Sequence, residues 1–223
     1  QYAMRHVKNY GLTREQLAQI ALTGRANALR NPRAMVREPL SMEEYLAARL
    51  ISTPLCLLDC DRYTDASTVL IVSAGDSLDE VRCTPVRIAA MAGSVERHSW
   101  DQGEWMANYP TGADLWKQTD YTAADVDTVQ LYDGFSFLAL TWLEALGFCE
   151  VGEGGRFIEG GTRIALDGEL PLNTFGGQLG AGRLHGFGFA HESVVQLRGQ
   201  GGERQIPGDP KVAIATSGGG PLA

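Results

Sequence analysis

The stretch VDTVQLYDGFSFLALTWLEALGF (126–148) limits the fold more than any other part of the chain. Its first part, VDTVQLY (126–132), alternates and is β-branched, so it predicts a strand. Its second part, GFSFLALTWLEALGF (134–148), predicts a helix that is apolar nearly all round. Such a helix has no face to give to water and must be enclosed by other elements. A strand leading into an enclosed helix points to a layered α/β fold.

The remaining segments agree with that class. TREQLAQIALTGRANALR (13–30) begins with Thr13 and has Gln16 three residues on, the pattern of a capping box; Leu17, Ile20, Ala21 and Ala28 then keep helical spacing until Pro32. SMEEYLAARL (41–50) repeats the signal with Ser41 and Glu44. STVLIVSAG (67–75) and PVRIAAMAG (85–93) predict short buried strands. Residues 94–120 have weak periodicity and predict a long loop holding Trp100, Trp105, Tyr109 and Trp116. Residues 152–173 have glycines spaced for tight turns between short strands. Leu184 to Leu197 predicts a helix, and 211–219 a closing strand.

Composition excludes several classes. A net charge of −8 argues against non-specific nucleic-acid binding, which needs a basic face. No apolar run reaches the ~18 residues of a membrane span, and the first residues lack the apolar core of a signal peptide. The four cysteines, Cys56, Cys60, Cys83 and Cys149, form no CxxC pair and are too few for a disulfide framework. This predicts a reduced, cytoplasmic protein without metal.

Candidate functional residues gather in three places. Tyr132 and Asp133 stand where strand gives way to helix, the end of a strand at which α/β folds place ligands. Asp133 alternatively caps that helix, and Tyr132 alternatively packs as a core aromatic. The glycine-dense stretch NTFGGQLGAGRLHGFGF (173–189) is neither a dinucleotide fingerprint nor a phosphate loop. Its Gly186 and Gly188 fall in the first turns of the predicted helix, which suits close backbone approach, and Arg183 falls at its N-terminus. His185 is suited to proton transfer, or it is a satisfied structural histidine. His191, six residues on, points to another face and is no joint metal ligand. Finally, ATSGGGP (215–221) ends a strand in a glycine turn that either presents oxyanion-binding N–H groups at Ser217, Gly218 and Gly219 or is a plain turn.

Taken in order, YDGFSFLALTWLEALGFCEVGEGGRFIEGG, LPLNTFGGQLGAGRLHG, AHESVVQLRG and IATSGGG resemble the C-terminal part of the thiolase superfamily, in its sterol-carrier and lipid-transfer branch. The upstream YGLTREQLAQIALTGRANALRNPRAM and PLCLLDCDRYTDASTVLIVS resemble it too. The resemblance implies the second half of a thiolase fold, layered α-β-α-β-α and dimeric, with part of the loop region. Residues 1–66 would close the N-terminal and loop region, and 67–223 would form the C-terminal domain. The first repeat, with its nucleophilic cysteine, would precede Gln1.

The departures from the family pattern carry the functional expectation. Tyr132 stands where thiolases keep a histidine or asparagine, Arg183 at the "GHP" histidine, and Thr216 at the "CxGGG" cysteine. A condensing thiolase needs a thiol, a base to activate it and a second acid/base. The substitutions are similar instead to thiolase-like aldolases of bacterial steroid side-chain breakdown. Those cleave a β-hydroxyacyl-CoA to a ketone and a shorter acyl-CoA such as propionyl-CoA, with tyrosines as acid/base. They need no cofactor beyond the coenzyme A of the substrate, and they work with a zinc-ribbon/OB-fold partner. The resemblance thus implies Tyr132 as base, with Asp133 beside it and His185 in place of a second tyrosine. Arg183, Gly177, Ser217, Gly218 and Gly219 would meet the acyl-CoA. A free tyrosine titrates near ~10, so a basic Tyr132 needs its pKa lowered by ~2–3 through nearby positive charge, for which Arg183 is a candidate. An acyltransferase and a non-catalytic acyl-CoA-binding scaffold are the alternatives.

Overall fold

The computed structural model describes residues 1–75, 81–95, 106–220 and 223. Among these residues eight α-helices and four short strands follow one another. The helices are α1 (Tyr2–Tyr10), α2 (Arg14–Leu29), α3 (Met42–Ala47), α4 (Asn108–Trp116), α5 (Ser136–Ala145), α6 (Gly154–Phe157), α7 (Gly177–Gly180) and α8 (Phe187–Leu197). The strands are β1 (Leu50–Ser52), β2 (Leu55–Cys56), β3 (Thr128–Gln130) and β4 (Ala213–Ala215).

The helix starts follow the local chemistry. The Thr13 hydroxyl accepts the Gln16 N–H at 3.1 Å, and the Gln16 side chain returns to the Thr13 N–H at 3.1 Å. Ser41 and Glu44 do the same for α3. Each reciprocal pair satisfies two N–H groups that the first helical turn leaves open.

Helix α5 is enclosed as its composition requires. It packs against α2, α4 and α6, and Leu140 and Leu143 are wholly buried. Its one charge, Glu144, is buried as well and fully engaged. It pairs with His6 at 2.8 Å, accepts the Tyr109 hydroxyl at 2.7 Å, and accepts the N–H groups of Gly152 and Gly154. A buried carboxylate persists only with such partners. At the start of the helix, Asp59 takes hydrogen bonds from Tyr45, Ser136 and the Cys56 N–H, tying α3 to α5.

Strands β3 and β4 run parallel, with Thr128 opposite Ala213 and Gln130 opposite Ala215. Leu172 forms a parallel bridge to Val129 on the other side of β3. Helix α8 packs on both strands. Parallel neighbours joined through helices confirm the α/β class. Strands β1 and β2 form a small antiparallel hairpin.

Several expected elements differ. The predicted strands 126–132 and 211–219 shorten to three residues each, and α8 begins at Phe187 instead of Leu184. Residues 67–74 and 85–93 form no strand: Val69 is 78%, Ile71 92% and Val72 76% exposed. β-Branched composition favours extended backbone, but a strand also needs a neighbour's N–H and C=O groups. Among the described residues nothing pairs with these two segments. Residues 152–173 contain the helical turn α6 and a run of tight turns, with only the Leu172 bridge as strand-like pairing. Part of the expected loop 94–120 is the helix α4, which carries Tyr109 and Trp116; Trp100 and Trp105 lie outside the described residues. No helix among the described residues is long and apolar enough to cross a membrane.

Candidate active site

Tyr132 follows the end of β3 and is buried, 7% exposed, at the margin of the hydrophobic core. Its N–H donates to the Thr216 hydroxyl at 2.8 Å, and the Thr216 N–H donates to the Gln130 carbonyl at 3.0 Å. The position expected to lack a thiol therefore holds a hydroxyl that clamps β4 to the backbone of Tyr132. The phenol ring itself packs against His185 and Phe189, with ring centroids 5.9 Å and 6.1 Å away.

His185 reaches that ring from an unusual backbone. Its φ is +50°, a left-handed conformation uncommon outside glycine, although histidine is among the residues that tolerate it. Three contacts hold it there. Its N–H donates to the Gln178 side-chain oxygen at 3.0 Å, its carbonyl accepts the Ser217 hydroxyl at 3.4 Å, and its Nε2 meets Arg183 Nη2 at 2.8 Å. Gly186, which follows with φ +102°, lies against Ser217 in a space that a Cβ would fill.

Arg183 is not at a helix N-terminus, because α8 begins four residues later. It lies in a turn whose N–H donates to the Arg62 carbonyl at 2.9 Å. Its guanidinium Nε approaches Asp61 Oδ2 at 3.3 Å while Nη2 reaches His185. Burial raises the Asp61 pKa, and the Arg183 guanidinium pulls it back down. Asp61 thus joins the cluster unannounced: nothing in the segment PLCLLDCDRYTD singled it out as a site residue, and the fold brings it to Arg183.

Asp133 turns the other way. It does not cap α5, whose first residue is preceded by Phe135 without a side-chain cap. Its carboxylate accepts the Gln178 N–H at 2.8 Å and holds the start of the short turn α7, so the sequence identified a cap but on the wrong helix. Asp133 is 1% exposed. Burial pushes its pKa up to about 7, against the pull of the Gln178 and Leu179 N–H groups and the Asn173 amide. The space where a Cβ at Gly177 would fall is taken by this carboxylate. Asn173, with φ +49°, exchanges two hydrogen bonds with the Leu131 backbone at 2.7 Å and 2.9 Å and fixes the end of β3.

The glycines of 176–180 serve close approach by α2. A Cβ at Gly176 or at Gly180 would stand 2.8 Å from the Ala28 Cβ. In the 218–220 turn the carbonyls point inward. Gly218 accepts the Trp142 indole N–H at 3.0 Å and Gly220 the Ala107 N–H at 2.7 Å.

The structure therefore brings Tyr132, His185, Arg183 and Ser217 into one cluster, with Asp133 and Gly177 forming its supporting turn. Three cysteines are poor nucleophiles. Burial raises the thiol pKa of Cys56 and Cys60, with Asp59 adding to it, and raises Cys149 to about 12 with Glu144 adding. Among the described residues no group of His, Cys, Asp and Glu is placed to hold a metal ion.

Comparison with known proteins identifies the family. Residues 101–223 match the family model described as thiolase C-terminal domain-like. An acetyl-CoA acetyltransferase of Methanothermobacter thermautotrophicus is 37% identical over 92% of this chain and 55% of its own length. A 17-hydroxy-3-oxo-4-pregnene-20-carboxyl-CoA lyase of Mycobacterium tuberculosis is 36% identical over 88% of this chain and 53% of its own. The solved structure of an Ltp2-ChsH2(DUF35) aldolase superposes with a TM-score of 0.81 at 28% identity, covering 99% of this chain and 61% of that one. The chain spans about half the length of the curated relatives it matches. The chain belongs to the thiolase superfamily, whose C-terminal domain its residues 101–223 match.

Proposed function

We propose that this chain forms part of a lyase that cleaves a β-hydroxyacyl-CoA by a retro-aldol reaction. The observation that carries the reading is the Tyr132 phenol beside the His185 imidazole, at a site whose glycine-turn residue is Thr216 and not a cysteine. In the proposed reaction Tyr132 takes the proton of the β-hydroxyl. The Cα–Cβ bond then breaks, the hydroxyl-bearing carbon leaves as a ketone, and the electron pair remains on the thioester as an enolate. The enolate oxygen needs hydrogen-bond donors, which the site can draw from His185 and from the turn at Ser217, Gly218 and Gly219. Protonation at Cα gives the shorter acyl-CoA and balances the reaction.

In this reading Asp133, Gly177 and Arg183 support the site through the turns they hold. The acyl-CoA itself brings the coenzyme, and no other cofactor enters. The steroid lyase relative and the aldolase superposition support a bulky acyl group, sterol-like in size, and the proposal includes propionyl-CoA as the short product. It also includes a cytoplasmic homodimer working with a zinc-ribbon/OB-fold partner; the neighbouring aldolase structure, named with its ChsH2 (DUF35) component, supports the partner. The test is to incubate the intact protein and its partner with a tertiary β-hydroxyacyl-CoA. Release of ketone and short acyl-CoA in equal amounts is expected, and no ketone from any such thioester overturns the reading.

A second reading has its own support. The acetyl-CoA acetyltransferase is 37% identical over most of this chain, which favours acyl transfer. That reading expects acetoacetyl-CoA from acetyl-CoA and no ketone from the hydroxy thioester.

A further inference from the structure

Whether the first, aldolase reading holds or not, the contact between Arg183 and His185 has a chemical consequence. A guanidinium has only N–H donors and stays charged in proteins. With Arg183 Nη2 2.8 Å from His185 Nε2, that nitrogen is the acceptor. An accepting Nε2 carries no proton, which leaves the ring N–H to Nδ1. Arg183 in turn is held from behind by Asp61, whose side chain is mostly buried, at 3.3 Å. The Asp61 N–H donates to the Gly134 carbonyl at 3.2 Å, and the next residue, Arg62, takes the Arg183 N–H on its carbonyl. The arm carrying Asp61 is therefore fixed to the residues flanking both Tyr132 and His185.

We propose that Asp61 and Arg183 are a positioning pair that locks His185 as the neutral Nδ1–H tautomer beside Tyr132. Resting on the aldolase reading, this also changes the role of His185. A neutral imidazole donates a hydrogen bond well but gives up its proton poorly. His185 then serves the enolate oxygen as a donor through Nδ1–H, and the proton reaching Cα comes back from Tyr132, which took it from the β-hydroxyl. One phenol acting first as base and then as acid balances the reaction without a second titrating group.

The experiment is nitrogen-15 NMR of the histidine rings in the intact protein, in wild type and in Arg183→Met and Asp61→Asn. The ring nitrogen shifts distinguish Nδ1–H from Nε2–H directly. Wild type is expected to show Nδ1–H for His185. Arg183→Met is expected to revert to the Nε2–H form that free histidine favours in water, and Asp61→Asn to give a mixture. An Nε2–H or doubly protonated His185 in wild type overturns the proposal, as does an unchanged tautomer in a folded Arg183→Met. If Arg183→Met does not fold, the wild-type spectrum and Asp61→Asn decide alone. Turnover tests the positioning role. Asp61→Asn is expected to lower kcat about tenfold with KM unchanged, and Asp61→Ala further, because the pair orients a group and does not bind substrate. A wild-type tautomer of Nδ1–H with no lyase activity on any hydroxy thioester would leave the clamp standing and remove the aldolase.

Discussion

Replacing Asp133 by asparagine should change how stability depends on pH, and in a direction opposite to most carboxylates. Asp133 titrates near about 7 in the fold and near its ordinary 3.8 in the open chain. Between those values the folded chain holds a proton that the unfolded chain has released. The contribution to stability is therefore full below pH 3.8, falls as pH rises through the window, and is flat above about 7. The whole span corresponds to about 4 kcal/mol, at a slope of about 1.4 kcal/mol per pH unit.

Asparagine never ionises, so it removes that slope. It keeps an oxygen for the Gln178 N–H, but its amide group then faces the Leu179 N–H and the Asn173 amide, at a cost of about 1–3 kcal/mol. The variant should be the less stable protein at pH 4 and the more stable one at pH 8, with the curves crossing between. The assay is urea unfolding followed by tryptophan fluorescence at half-unit steps from pH 4 to 8.5. Other titrating groups, including Asp61 with its raised pKa, are present in both proteins and cancel in the difference. A difference between variant and wild type that stays constant over this range would refute the reasoning. It would mean that Asp133 is already ionised in the fold at pH 4.

Three further outcomes follow from contacts in the site. Tyr132→Phe should reduce ketone release from a tertiary β-hydroxyacyl-CoA by about 10²–10⁴-fold, the usual worth of a positioned acid/base, while urea unfolding midpoints stay close to wild type. Thr216→Val keeps the shape but leaves the Tyr132 N–H unpaired, so unfolding measurements should show a loss of about 1–3 kcal/mol. Gly180→Ala should cost about 1–3 kcal/mol by forcing α7 from α2, and adding Ala28→Gly should restore part of it, as a double-mutant cycle would show.

The readable and unreadable parts of the chain differ by the distance over which their information acts. Thr13 with Gln16 and Ser41 with Glu44 state their helix starts within four residues, and both boxes form as written. The apolar run 136–145 announces burial because no face of it is polar. The segments 67–75 and 85–93 have strand composition, yet a strand is a property of two segments, and neither finds a ladder among the described residues. The site shows the same division. Tyr132, Arg183 and His185 were visible as residue types beside turns and glycines. Asp61 was not, since what makes it matter is a guanidinium 122 positions away in the chain. The capping chemistry of Asp133 was visible, but which helix it caps depends on the turn at 177–180 folding back over β3.

Residues 132 and 216 are tied to each other and to the turns around them. The hydroxyl of Thr216 takes the Tyr132 N–H, and the Tyr132 ring fills the space between His185 and Phe189. His185 in turn is kept in a left-handed backbone by Gln178, Ser217 and Arg183 together. Holding a non-glycine residue in such a conformation costs about 1–3 kcal/mol and persists only where the surroundings over-determine it. Those three contacts do not enlarge the apolar core, and the residue they hold is exposed to solvent. Their common effect is to present one imidazole, in one tautomer, to one phenol. That is the arrangement a site needs if the proton is to move by oxygen and not by sulfur.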